Sequence, residues 1–290
     1  MLSNKITVCI FAWNEEARLE RCINNFKDFF KILVVDNGSV DGTLKLARQL
    51  GVSAVTIPNP GFIETPSVMD PLMDSCETDF LLIASVSEFV PLELMQKYAE
   101  VANSDSYDVV RAYRQSITAG MAIPISGLPT FRQPGELRFF RKGAVDFSEN
   151  QVHGRGRAVV DPSRVLRLVS DSRFYFYQFR DYDWSHTELK HRGYNDVLSK
   201  QMFEAGRRFS WVKMCYYSTK QFLNAYIRFG CWKYGTLGFI HSFHRAYMEM
   251  GIWFRIWEWE HGLQRSGVIQ KNNNFREALE KKIVFEERNN

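Results

Sequence analysis

The chain opens with short, dense apolar runs separated by polar turns at strand-and-helix intervals. Ile6-Thr-Val-Cys-Ile-Phe-Ala12 is apolar at nearly every position, the pattern of a strand buried on both faces. After Asn14-Glu15-Glu16, apolar residues recur at Leu19, Cys22, Ile23 and Phe26. That spacing predicts a helix with one buried face, and acidic residues in its first turn suit the helix dipole. Lys31-Ile-Leu-Val-Val35 predicts a second buried strand ending at Asp36. Asn37-Gly38-Ser39 predicts a turn, and Asp41-Gly42-Thr43 opens a helix through Leu44, Ala47 and Leu50. Val52–Ile57, Phe80–Ala84 and Tyr107–Ala112 predict three further strands. Strand and helix alternating at this interval imply an α/β fold with a parallel sheet and right-handed crossovers.

The pattern then changes. Ser116–Gly135 reads as a loop rich in Gly and Pro, and Leu137–Lys142 resumes extended structure. From about Ser185 the spacing becomes helical, and aromatics alternate with Arg and Lys. A boundary between 170 and 185 divides the chain into residues 1–180 and a helical region, 181–290.

The 290 residues are 45% hydrophobic and 24% charged, enough for a sizeable core. A net charge of +4 is too modest for a dedicated nucleic-acid binder, but it suits a phosphate-bearing ligand or an anionic membrane surface. Five scattered cysteines without metal-ligand spacing argue against zinc and favour a reducing compartment. With neither a signal peptide nor a long apolar run, a cytoplasmic protein is expected.

Two loops carry chemistry, Ala12–Glu16 after the first strand and Asp36–Thr43 after the second. In an open parallel sheet, ligands bind outside the carboxyl ends of the strands. A carboxylate there can accept from a nucleobase N–H or a ribose hydroxyl, and Gly38 and Gly42 permit close backbone approach. Neither loop is a dinucleotide fingerprint or a Walker loop. The stretches Thr7–Glu16 and Val34-Val-Asp-Asn-Gly-Ser-Val-Asp-Gly-Thr43 resemble the family 2 glycosyltransferases. The resemblance implies a GT-A fold: a Rossmann-like, mixed but mainly parallel sheet flanked by helices, here with a C-terminal helical extension. It also implies that Asp36 contacts the nucleoside of a nucleotide sugar, UDP-linked by default, while Asn14, Glu16 and Asp41 shape the pocket with Ala12 and Gly38. The alternative is that Asp36 and Asp41 only cap a turn and a helix.

In that family the fourth strand runs into Asp-x-Asp-Glu, which holds a divalent cation against the donor diphosphate. Here the aligned residues are Ser85-Val86-Ser87-Glu88, and hydroxyls are poor ligands for hard cations such as Mn²⁺ or Mg²⁺. Three readings stay open. Glu88 holds a metal with water and phosphate, Lys or Arg side chains replace the metal beside Ser85 and Ser87, or transfer has been lost.

Leu137–His153 resembles the acceptor-side motif of the glycosyltransferases that build lipopolysaccharide cores, which ends in Val-His-Glu. Here the glutamate position is Gly154, leaving Glu149, His153 and Asp146 as candidate bases. Arg138, Arg141 and Lys142 are candidate diphosphate-binding cations, or else part of a solvated strand edge. Phe222–Trp259 interleaves aromatics with Arg and Lys, which predicts either a surface helix on a membrane, core packing or a dimer interface. The leading expectation is an inverting transfer to a hydroxyl of a glycan or lipid-linked glycan, on the inner face of the cytoplasmic membrane. The alternatives are a non-catalytic sugar-nucleotide-binding domain and a transferase acting on modified DNA bases.

Overall fold

A computed structural model describes residues 2–59, 64–118, 120–122, 135–148, 156–169, 171–180 and 184–289. The strands are β1 (Ile6–Ala12), β2 (Lys31–Asp36), β3 (Ser53–Thr56), β4 (Phe80–Ser85), β5 (Glu88–Phe89), β6 (Val109–Thr118), β7 (Glu136–Arg141), β8 (Val145–Asp146), β9 (Arg157–Ala158), β10 (Val165–Arg167) and β11 (Tyr175–Arg180). The helices are α1 (Glu16–Phe26), α2 (Thr43–Gln49), α3 (Pro66–Asp74), α4 (Leu92–Ser104), α5 (Trp184–Glu204), α6 (Trp211–Leu223), α7 (Gly235–His261) and α8 (Arg265–Asn289).

Among the described residues, the main sheet has the order β3-β2-β1-β4-β7-β6-β11-β5, with β10 also on the edge of β6. It is mixed but mainly parallel, as the sequence predicts: β7 lies antiparallel between β4 and β6, and β5 is antiparallel to β11. Both faces are covered, which explains the unbroken apolar runs. Val8 and Ile10 of β1 face Leu19, Ile23 and Phe26 of α1 and Leu94 and Tyr98 of α4 in one core. Cys9 points the other way, into a core with Val68, Met69 and Leu72 of α3.

The fifth predicted strand is longer than its apolar run. β6 reaches Thr118 because its far half pairs with β11, from Tyr113↔Tyr175 to Thr118↔Arg180, so Ser116–Thr118 is strand rather than loop. Its near half pairs on that same edge with β10.

The C-terminal helices form an antiparallel packing of α6 and α7 beside α5. Met214, Ile252, Trp253 and Ile256 make its core, and Tyr217 stacks on Trp253 at 6.0 Å. α6 passes through a π-turn (Asn224–Arg228) and a 3₁₀ turn (Cys231–Tyr234) into α7.

Candidate active site

Strand register gathers Ala12, Asp36 and Ser85 at one edge of the sheet. Ala12 is level with Asp36 across β1 and β2, and Phe11 is level with Ser85 across β1 and β4. Asp36 and Ser85 therefore sit about 10 Å apart, two strand spacings, at the carboxyl ends where open α/β sheets bind ligands.

The two loops beyond this edge are stitched to each other. Asn14, in the left-handed region at φ +54°, donates its backbone N–H to Ser39 Oγ at 2.9 Å. Its side-chain oxygen accepts from the Val40 amide, also at 2.9 Å. The Glu15 amide donates to Thr43 Oγ1 (2.8 Å) and the Glu16 amide to Asp41 Oδ2 (3.1 Å). Glu16 Oε2 in return accepts from the Gly42 amide at 3.0 Å. A Cβ at Gly42 would lie 2.2 Å from Glu16 Oε1, so this position needs glycine for the contact. Asn14, Glu16 and Asp41 are thus brought together as one clasp.

Asp36 is fully buried. Its carboxylate accepts from the amides of Gly38 (3.0 Å) and Ser39 (3.2 Å), closing a turn in which Gly38 takes φ +78°. Asn37 donates to the Asn59 carbonyl at 2.7 Å, tying the chain after β3 to the same edge. Asp41 accepts from the Thr43 amide and hydroxyl and from Glu16. Burial pushes its carboxyl upward, but those donors outweigh it and hold the group below its ordinary value. Both aspartates therefore cap backbone.

At the end of β4, Ser85 Oγ and Ser87 Oγ are 3.0 Å apart. Glu88 turns away from solvent. Its Oε2 accepts from the Ser85 amide at 2.9 Å, and Arg138 Nη2 donates to Oε1 at 2.8 Å. Arg138 also bonds Glu136 at 3.1 Å, and Glu136 bonds Arg114 at 3.2 Å. Burial disfavours the Arg138 charge, yet the carboxylates of Glu88, Glu136 and Glu64 prevail and raise its pKa above the ordinary value. Two hydroxyls and one carboxylate already engaged by a guanidinium do not fit a hard divalent cation, which wants several free anionic oxygens. Among the described residues, no group of three or more His, Cys, Asp or Glu is placed to hold a metal.

Arg141 is not near this edge. It pairs with Phe80 at the start of β4, about 16 Å along the strand from Ser85. There its Nε bonds Asp108 at 2.8 Å, and its guanidinium lies 4.5 Å from the centre of the Phe80 ring. Asp108 is shared with Arg164. Asp146, on β8, accepts from the Ser148 amide at 2.8 Å and from Arg157 at 3.1 Å. Those donors, the Ser148 amide foremost, hold its carboxyl low. Glu149 and His153 lie outside the described residues. Sequence reasoning missed Ser39, Glu136 and Arg114. Ser39 lies within the motif, whereas the ion pairs of the other two leave no local signal.

Residues 7–63 match the profile of Glycosyl transferase family 2. Over this stretch the chain is similar to the family 2 glycosyltransferases. The stretch takes in both clasped loops and ends before β4, so Ser85, Glu88 and Arg138 lie beyond the matched residues. Over a longer span, the chain is 26% identical over 245 residues to the lipopolysaccharide core biosynthesis glycosyltransferase LpsC of Rhizobium meliloti, covering 82% of this chain and 86% of LpsC. It is 25% identical over 248 residues to an uncharacterized glycosyltransferase of Rickettsia typhi, 82% of each chain. The crystal structure of S. aureus TarS 1–349 in complex with UDP-GlcNAc aligns with a TM-score of 0.49 at 12% identity, covering 89% of this chain and 92% of that one.

Proposed function

We propose that this protein transfers a sugar from a nucleotide-sugar donor, UDP-linked, to a hydroxyl of a glycan of the lipopolysaccharide-core or surface-polysaccharide kind, with inversion. The observation that carries this reading is the clasped loop pair at the carboxyl edge of the sheet, within the segment similar to family 2. The long similarity to LpsC, named for lipopolysaccharide core biosynthesis, supports the acceptor class.

In this reading the nucleoside lies against Ala12, Asn14 and the Asp36–Gly38 turn, and the diphosphate lies over Ser85 and Ser87. The acceptor oxygen attacks the anomeric carbon, the bond from that carbon to the diphosphate oxygen breaks, and the hydroxyl proton passes to a base. Glu149, His153 and Asp146 are the proposed bases, and residues 181–290 are the proposed acceptor side. Positioning and fixed dipoles supply most of the assistance.

A second reading, a domain that binds nucleotide sugar without turning it over, is favoured by one observation: Glu88 is already engaged by Arg138. Release of free nucleotide from a panel of nucleotide sugars, with candidate glycans and with either Mn²⁺ or EDTA, separates the two. Release that survives EDTA is the expected result. Donor binding without release in both conditions supports the second reading, and absence of binding overturns both.

A further inference from the structure

The outward face of the α6–α7 pair is apolar where a surface helix should be polar. α7 already buries Ile252, Trp253 and Ile256 inward, yet the stripe beside them exposes Phe239, Phe243, Phe254 and Trp257 at 40–51%. A surface helix whose apolar stripe runs on past its buried seam into solvent lacks a cover for the excess. At the turn between the helices this stripe becomes a continuous patch. Phe222 contacts Tyr226 at 5.4 Å and Phe239 at 5.7 Å, and Phe239 contacts Phe243 at 6.3 Å. Leu223 (45%) and Ile227 (62%) flank these rings in the open.

The same segment has an unusual charge balance. Residues 205–248 contain seven basic side chains (Arg207, Arg208, Lys213, Lys220, Arg228, Lys233 and Arg245) and no Asp or Glu. Two of these cations sit over exposed rings: Lys220 Nζ is 5.8 Å from the Tyr216 ring centre, and Lys233 Nζ is 5.7 Å from that of Trp232. Tyr216 and Trp232 are 59% and 55% exposed. We infer that this α6–α7 face docks the protein on an anionic lipid surface, with rings and aliphatic side chains at the acyl boundary and the lysines among the headgroups.

Three considerations select lipid. No helix of the described residues is long and apolar enough to cross a bilayer, so the patch lies on a membrane rather than through it. A two-fold contact with a second copy would bring the exposed Lys220, Arg228 and Lys233 against their own copies. Exposed Leu223 and Ile227 match acyl chains and have no stacking role on a nucleic acid. The patch also has a fixed place relative to the donor edge. The hydroxyl of Tyr234 donates to the Ala122 carbonyl at 2.8 Å, just beyond the carboxyl end of β6. β6 runs in the same direction as β4, since each is antiparallel to β7. The patch is therefore tethered at the same edge of the sheet as Asp36 and Ser85.

The test uses the full chain and vesicles, needs no nucleotide sugar, and so stands apart from the transferase reading. Co-sedimentation with phosphatidylcholine vesicles is compared with vesicles that also contain an anionic phospholipid. The expected result is binding to the anionic vesicles that weakens with added salt. Lys220→Glu with Lys233→Glu should weaken it on the order of tenfold or more, each lysine contributing through the surface potential. Phe239→Ser with Phe243→Ser should weaken it as well, with circular dichroism and melting midpoint unchanged in both variants. Absence of binding, or equal binding to neutral and anionic vesicles, would overturn the inference. So would a salt-stable dimer that the Phe239/Phe243 variant converts to monomer, which would assign the face to a second copy.

Discussion

Arg138 and Glu88, fifty positions apart in sequence, form a buried ion pair: Nη2 donates to Oε1 at 2.8 Å, and the two side chains are 4% and 3% exposed. The pair closes the end of β4, because Glu88 also accepts from the Ser85 amide. Removing one partner leaves a charge that has no water to replace it.

Glu88→Ala should therefore destabilise the fold by about 3–5 kcal/mol, and Arg138→Ala by a similar amount. Replacing both with apolar residues of similar volume, Glu88→Leu with Arg138→Met, should recover much of that loss, since no lone charge remains buried. Urea denaturation of the two single variants and the double one provides the cycle. Losses that simply add would mean that the pair is not a coupled unit.

The clasp predicts a different kind of non-additivity. Gly42→Ala pushes a methyl group against the Glu16 carboxylate, which is the free end of a flexible side chain and can swing away. What is lost is its hydrogen bond from the Gly42 amide, about 1 kcal/mol. In a Glu16→Ala background the same substitution should have almost no effect. A full effect in that background, measured by the denaturation midpoint, would show that the glycine serves backbone conformation rather than the clasp.

Acid should loosen the same region. Folding lowers the Asp41 pKa, so its contribution to stability is present above the unfolded value of about 3.9 and is lost as pH falls through the lower folded value. Asp41→Asn removes that titration. Its stability profile should fall less steeply than that of the parent below about pH 4, and both proteins should have parallel profiles above about pH 5. Denaturation midpoints across this range test it, and identical slopes below pH 4 would sink the assignment.

The central strands were legible because burial on both faces writes itself as consecutive apolar residues, as in Ile6–Ala12 and Phe80–Ala84. α3 was not, since Pro66 and Pro71 interrupt its pattern; Pro66 occupies the first helical position, where no amide is needed. β11 was hidden because its partners, β6 and β5, lie about sixty and ninety residues upstream. At the site, the residue types of the Asp36–Thr43 motif were readable, but what they bond was not. The two loop motifs mark Asn14, Glu16 and Asp41 as important, and only the folded chain shows them bonding across the two loops. Arg141 illustrates the opposite limit. It lies three positions after Arg138, yet the antiparallel run of β7 carries it to the far end of β4.

The clasp also bears on how a ligand would be received. Ordering a flexible loop on binding consumes conformational entropy that would otherwise appear as affinity. Here bonds in both directions between Asn14–Glu16 and Ser39–Thr43 fix both loops during folding, before any ligand arrives. The receptor edge is preorganised, and a substitution that frees either loop transfers its ordering to the binding step.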